Sequence, residues 1–290
     1  MSQNHAGIKS IISAMTRFSR IVRYILRMIK GFLFPPILIY SVGKAGTTSI
    51  QVSLVKAHIM NPIFHTHRLS WNALKESHKN FRNAGLNVPN HIADGKYLRF
   101  FIDKTRGKVR WKIISLTRDP IACKISNLFE TLKNYPQLRN LAGDELVNGI
   151  LTHLEKGFNE YDEENDRTNN WFNLELKDVF GFDVYAENFE PAAGYKITKA
   201  ENADILIIKL EDLSRCGPEA LQKFLGIHDF QLIKANVGSE KSYKEAYQRV
   251  LNTISLSTDT VERIYRSRYA RQFYSEEEIN IFKQHWANRS

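Results

Sequence analysis

Residues 41–50 read SVGKAGTTSI. They follow a short apolar run, ILIYSV (37–42), and lead into TTSIQVSLVKAHI (47–59), where Ile50, Leu54 and Val55 recur at helical spacing. This succession of strand, glycine-bounded turn and helix constrains the fold more than any other stretch of the chain. A fully apolar strand is buried on both faces, which is the situation inside a parallel sheet covered by helices. The turn then lies at the carboxyl end of the strand. Its successive backbone N–H groups and the start of the next helix form a cradle for an anion. Gly43 and Gly46 permit close approach of the backbone, Lys44 adds positive charge, and Thr47, Thr48 and Ser49 add hydroxyl donors.

The order of residues excludes the common nucleotide loop. A Walker A motif, G-x-x-x-x-G-K-[ST], carries its lysine after the last glycine. Here Lys44 precedes Ala45 and Gly46. A strand ending in a metal-binding acid is also missing, because in ADILIIKLED (203–212) Glu211 and Asp212 come after Lys209. The loop Gly43, Lys44, Ala45, Gly46 therefore reads as a phosphate site without a metal. In it Lys44 supplies the charge that a metal would otherwise bring to a leaving oxygen.

The remaining pattern alternates strands and helices, which implies an α/β fold. PIFHTH (62–67), VRWKIISLT (109–117), GFDVY (181–185) and ADILIIKL (203–210) read as further strands, while 71–108 is polar and weakly patterned. Residues 120–180 read as mostly helical, broken by a solvated acidic run, NEYDEENDR (159–167). PEALQKFLGI (218–227) reads as a helix with Pro218 in its first turn. Ser242-x-x-Glu245 and Ser275-x-x-Glu278 read as capping boxes opening two more. The expected architecture is a three-layer, P-loop-like α/β fold with a central, mostly parallel sheet flanked by helices. It forms one domain over residues 35–290, with helical insertions at about 131–180.

Residues 1–34 stand apart. The chain carries a net charge of +10, and residues 1–35 hold Lys9, Arg17, Arg20, Arg23, Arg27 and Lys30 without an acid, leaving +4 on the other 255 residues. That remainder is no footprint for nucleic acid. Ile8, Ile11, Ile12, Met15, Phe18, Val22, Ile25, Ile29 and Phe32 form one face of a helix. The segment lacks the 18 or so uninterrupted apolar residues of a bilayer span and the apolar core of a cleavable signal. Two readings stay open: a helix packed on the protein's own body, or residues 8–34 lying on an anionic membrane surface. Cys123 and Cys216 are far apart and show no metal or disulfide spacing. The expected location is the cytoplasm, at the inner face of the membrane if the helix binds lipid.

A second anion-binding element lies in RDPIACKIS (118–126). Arg118 ends an apolar strand, and a helix starting at Asp119 or Pro120 places Ser126 two turns in. A guanidinium and a hydroxyl can then converge on one anion. Together, GKAGTTSI and this Arg118–Ser126 pair resemble the sulfotransferase family. That family's 5′-phosphosulfate loop has a lysine in a K-x-G-[ST]-[ST]-[SL] setting, and its 3′-phosphate site pairs an arginine at a strand end with a serine eight residues on. IIKLEDL (207–213) is similar to the strand and turn that follow. NNWFNLELKDVFGFDVY (169–185) resembles the capsular-polysaccharide sulfotransferases, labelled by an NKWYS string; Asn169 and Trp171 are identical within it.

The resemblance implies 3′-phosphoadenosine 5′-phosphosulfate as donor and a hydroxyl of a carbohydrate, polysaccharide or glycolipid, as acceptor. It also implies that a late loop closes over the nucleotide; NVGSEKSYK (236–244), with Asn236 and Lys241, fits that part. Sulfuryl transfer by in-line displacement needs a base for the acceptor proton. His65 and His67 end the second strand on one face, near the carboxyl edge where α/β ligands bind. His91 is the next candidate, since some carbohydrate sulfotransferases keep their base between the second and third strands, and Glu130 and Glu175 follow. Trp171 and Phe172 belong either to the core or under a sugar. Two other functions remain open at this point: a non-catalytic nucleotide- or sugar-binding protein of the same fold, and a P-loop nucleotide kinase.

Overall fold

The computed structural model describes residues 21–22, 24–83, 85, 87–88, 90–235 and 243–287. Five strands form one sheet in the order β2-β1-β3-β5-β4: β1 (Ile37–Tyr40), β2 (Ile63–Thr66), β3 (Trp111–Thr117), β4 (Tyr195–Lys199) and β5 (Ala203–Lys209). The pairs β1–β2, β1–β3 and β3–β5 are parallel, and only β4 runs antiparallel to β5. The mostly parallel α/β architecture is the one the alternating pattern implies.

The pleat of β1 explains the layers. Ile37 and Ile39 face one side, packed with Ile50 and Leu54 of α2 (Thr47–Lys56) and with Ala220 and Leu221 of a later helix. Leu38 and Tyr40 face the other, with Phe64, Trp111, Leu98 and Phe129. Successive side chains of a strand point to opposite faces, so a strand covered on both sides must be apolar throughout. All four parallel strands end at the same edge, and the loops 41–46, 67–70, 118–119 and 210–212 gather there.

Several elements differ from the sequence expectation. The polar stretch 71–108 holds two helices, α3 (Trp71–Asn83) and α4 (Asn90–Lys104), which follow α1, the described helical residues of 21–30. After α5 (Pro120–Glu130) and α6 (Gly143–Asn159), a wide π-turn at Phe172–Lys177 runs into α7 (Asp178–Phe180). GFDVY is not a strand: Asp183 accepts from the Tyr185 N–H and folds Val184–Ala186 into a 3₁₀ turn. The antiparallel edge strand β4 is absent from the sequence expectation: Tyr195 and Ile197 alternate with Lys196 and Thr198, but the run is only five residues long and half-exposed. In α8 (Leu213–Leu225), Pro218 is interior, not in the first turn. The acidic run is a loop, but Asp166 is half-buried in it and pairs with Lys124 at 2.6 Å.

Of the two capping boxes, Ser275–Glu278 is formed, opening α12 (Glu276–Trp286). Ser242 lies outside the described residues, and α9 (Lys244–Thr253) has its N-cap at Tyr243. Two short helices, α10 (Thr258–Tyr265) and α11 (Arg268–Phe273), lie between them.

Helix α1 packs on the free edge of the sheet. The Arg27 guanidinium donates to the Ile63 carbonyl of β2 and lies over the Phe64 ring at 5.3 Å, and Tyr24 meets that ring edge-on at 5.5 Å. An unpaired strand edge exposes carbonyl groups that need partners, and α1 supplies one. Its opposite face, with Leu26 and Ile29, is exposed, as are Phe32 and Leu33 in the turn that follows.

Candidate functional site

The loop between β1 and α2 is held from one side. Gly46, the N-cap of α2, has φ 83°, and a Cβ there would sit 2.4 Å from Leu210 Cδ1, so the position demands glycine. Lys44 also adopts a left-handed conformation, φ 68°, which costs a non-glycine residue about 1–2 kcal/mol. Two contacts hold it. The Arg118 guanidinium donates to the Lys44 carbonyl at 2.7 Å, and the Cys123 thiol reaches the Gly43 carbonyl at 3.4 Å. Peptide planarity puts each following N–H opposite its carbonyl. With both carbonyls turned toward α5, the N–H groups of Lys44 and Ala45 point the other way. No side chain caps α2, and its first turn carries no acid. A Cβ on Gly43 would meet nothing within 4 Å. These are the properties of a cradle for an anion.

One face of α5 looks onto this loop. Cys123, Ser126 and Glu130 follow one another at three- and four-residue steps. Glu130 pairs with the Lys44 ammonium at 3.1 Å and accepts from the Tyr243 hydroxyl at 3.0 Å. Ser126 shares a hydrogen bond of 2.8 Å with Tyr247. The structure thus brings Lys44, Arg118, Ser126 and Glu130 together.

Buried polar groups hold Arg118 in turn. The Tyr269 hydroxyl accepts from the Arg118 N–H and donates to its carbonyl, both at 3.0 Å. Asp119 caps α5 at the Ile121 N–H and accepts from Tyr265 at 2.6 Å and Trp286 at 2.8 Å, while its own N–H donates to Glu211. Burial raises the pKa of both Asp119 and Glu211. Burial also pushes the Cys123 thiol up to about 12, which removes it as a nucleophile near neutral pH.

The two histidines stand beside the loop, their rings edge to face at 5.0 Å. His65 lies in β2; its Nδ1 meets Gln51 Oε1 at 2.8 Å and its Nε2 meets the Thr47 hydroxyl at 2.9 Å. His67 is one residue past the strand. Its Nδ1 donates to the Ser41 carbonyl at 2.8 Å, so Nε2 is the basic nitrogen of that ring. Both rings reach back to residues flanking or forming the loop, Ser41 and Thr47. His91 falls in α4, and its side chain lies outside the described residues.

The other expected residues divide. Thr47 is buried against His65 and Thr48 is half-buried in the first turn of α2. The Ser49 hydroxyl accepts from the Ala235 N–H and donates to its carbonyl, so it ties down the segment before 236 and does not face the loop's hollow. Asn236 and Lys241 lie outside the described residues. Glu175 is structural: buried, it accepts from Tyr40 at 2.5 Å, the Leu69 and Ser70 N–H groups at 2.7 and 2.8 Å, and the Ser70 hydroxyl at 3.1 Å. Trp171 and Phe172 belong to the core, and the Trp171 indole N–H donates to the His67 carbonyl at 2.9 Å. Sequence reasoning undervalued Glu130. Its signal was its place one turn beyond Ser126 on the same face of α5. Among the described residues there is no cluster of three metal-ligating side chains and no helix long and apolar enough to cross a membrane.

Residues 149–275 match the family described as "Putative capsular polysaccharide synthesis protein", NKWYS. The match makes this stretch similar to capsular polysaccharide synthesis proteins. No curated protein matches the chain. Lys44, Arg118 and Ser126 lie before the matched stretch. Yet that stretch supplies Tyr243, Tyr247, Tyr269, Glu175 and Trp171, which touch Glu130, Ser126, Arg118, the turn after β2 and His67. The part resembling capsule-synthesis proteins is therefore the scaffold around the anion site.

Proposed function

We propose that the chain is a sulfotransferase of capsular polysaccharide synthesis. On this reading it moves a sulfuryl group from 3′-phosphoadenosine 5′-phosphosulfate to a carbohydrate hydroxyl. The observation that carries the reading is the bond from Arg118 to the Lys44 carbonyl. It joins a lysine-bearing anion loop to a second anion element 74 residues away. A nucleotide with phosphate at both ends of its ribose matches two such elements; ATP would use one.

In this reading the loop N–H groups and Lys44 hold the 5′ end of the donor, and Arg118 with Ser126 holds its 3′-phosphate. Lys44 leaves Glu130 to stabilise the charge that grows on the leaving phosphate oxygen as the sulfur–oxygen bond breaks. The acceptor oxygen forms the new bond to sulfur, and its proton passes to a histidine, with His67 Nε2 the better placed basic nitrogen. No metal is required, because Lys44 brings the charge. Calorimetric titration with 3′-phosphoadenosine 5′-phosphate, ADP and ATP tests this. The 3′,5′-bisphosphate should bind at least tenfold more tightly than ADP, and equal affinities or a preference for ATP would refute the reading.

Membrane attachment belongs to the same proposal. The exposed apolar face of α1, combined with the six basic residues of 1–35, suits an anionic lipid surface. Each basic residue near such a surface contributes roughly 1 kcal/mol. This placement brings the site to a lipid-linked or membrane-extruded glycan.

A further inference from the structure

A cleft of about 460 Å³ opens at the β2 edge of the sheet, between α1, α2 and α4. We propose that it holds an uncharged sugar ring of the acceptor chain, beside His65 and next to the unit whose hydroxyl gives its proton to His67. The inference rests on the sulfotransferase reading for its chemistry, but the cleft and its lining stand by themselves.

Four observations carry it. The volume falls within the roughly 300–1,000 Å³ of small-molecule sites, so a sugar ring and part of its neighbour fit. The lining is mixed, as sugar binding requires: Tyr24 supplies aromatic surface for the C–H face of a ring, and Asp94 and Gln51 supply acceptors and donors for hydroxyls. Among the described residues one cation and one anion border this space, Arg27 on α1 and Asp94 on α4. A uronate would gain at Arg27 and lose at Asp94, and an ammonium the reverse, so a neutral polyol meets no net opposition. Finally, His65 forms part of the wall, and its Nε2 is bonded to Thr47, the first residue of the helix behind the anion loop. The cleft and the loop thus lie on either side of one histidine.

This assignment gives α1 a second role. By capping the β2 edge it brings Tyr24 and Arg27 over the cleft. Two of the ten residues lining the cleft thereby come from the segment that also presents an apolar face to the outside.

Saturation-transfer NMR on the full chain is the test, with methyl β-glucoside, N-acetylglucosamine and glucuronate as probes. The neutral sugars should receive saturation from the aromatic protons. Asp94→Ala, on the surface of α4, should abolish that signal, while Tyr24→Phe, which keeps the ring, should retain it. In transfer assays Asp94→Ala should raise the acceptor KM about tenfold or more, with kcat and the donor KM within threefold of wild type. No signal from neutral sugars, a signal untouched by Asp94→Ala in a chain that still binds 3′-phosphoadenosine 5′-phosphate, or stronger binding of glucuronate would each overturn the assignment. If the bisphosphate does not bind but the neutral sugars do, the sulfotransferase reading falls and the sugar site stands.

Discussion

Replacing Arg118 by alanine separates the task the structure shows for this side chain, bracing the loop, from the one proposed for it, holding a 3′-phosphate. The backbone at 118 should not move, because Tyr269 holds both its N–H and its carbonyl at 3.0 Å and Asp119 remains capped and triply bonded. The first loss is the 2.7 Å bond to the Lys44 carbonyl. A charged donor on a half-buried carbonyl contributes about 1.5–3 kcal/mol, so the free protein should melt several degrees lower. Lys44, no longer held at positive φ, should also explore other conformations. On the sulfotransferase reading, the second loss is the proposed contact to the 3′-phosphate. By the same scale, discrimination between a nucleotide with a 3′-phosphate and one with a 3′-hydroxyl should fall about 10- to 150-fold. Calorimetry at one fixed salt concentration, comparing 3′-phosphoadenosine 5′-phosphate with AMP on wild type, Arg118→Ala and Arg118→Lys, reads this directly. Lysine keeps the charge but lacks the fork, so it should fall between the other two. Equal weakening of both nucleotides by Arg118→Ala would show that the side chain only braces the loop.

Lys44→Ala should leave the melting temperature near that of wild type and lower transfer by about 10²–10³ or more; a folded variant with full activity in a radiolabelled transfer assay would remove lysine from the mechanism. Glu175→Gln should destabilise the protein by about 2–4 kcal/mol in denaturant unfolding, because an amide NH₂ would then face donors that now meet a carboxylate; unchanged stability would contradict the structural role assigned here. The double substitution Leu26→Glu with Ile29→Glu, on the exposed face of α1, should strongly reduce co-sedimentation with anionic vesicles at low salt and leave nucleotide binding intact. If wild type does not pellet with such vesicles, or the variant pellets equally well, α1 serves the protein body alone.

Legibility in the sequence followed range. Within a few residues, side-chain chemistry and backbone geometry are directly coupled. The apolar run at 37–40, the glycine at the N-cap of α2, the Asp119–Pro120 start of α5 and the Ser275–Glu278 box were therefore readable one at a time. The order of Lys44 and Gly46, and the eight-residue step from Arg118 to Ser126, marked the proposed anion elements for the same reason. Local signals failed where a helix carries a weak stripe, as in α4, where a helix is mostly polar outside a narrow stripe of Trp71, Leu74 and Phe81, as in α3, or where a short edge strand is half in water, as in β4. The sheet order, the antiparallel edge and the seating of α1 on β2 depend on which apolar surfaces meet, and no short window contains that choice.

The tertiary structure alone decided which candidates share a site and which only support it. Arg118 reaches Lys44 across 74 positions, Glu175 holds Leu69 across 106, and Tyr269 holds Arg118 across 151. Such contacts leave no spacing in the chain, because folding, not sequence distance, brings their partners within 3 Å. Glu175 and Glu130 look alike in the sequence. One is buried under four donors and the other lies half-exposed beside Lys44. The local chain specified the residues able to hold an anion, and the packing of α5 and the later helices against β1 and β3 determined which of them meet.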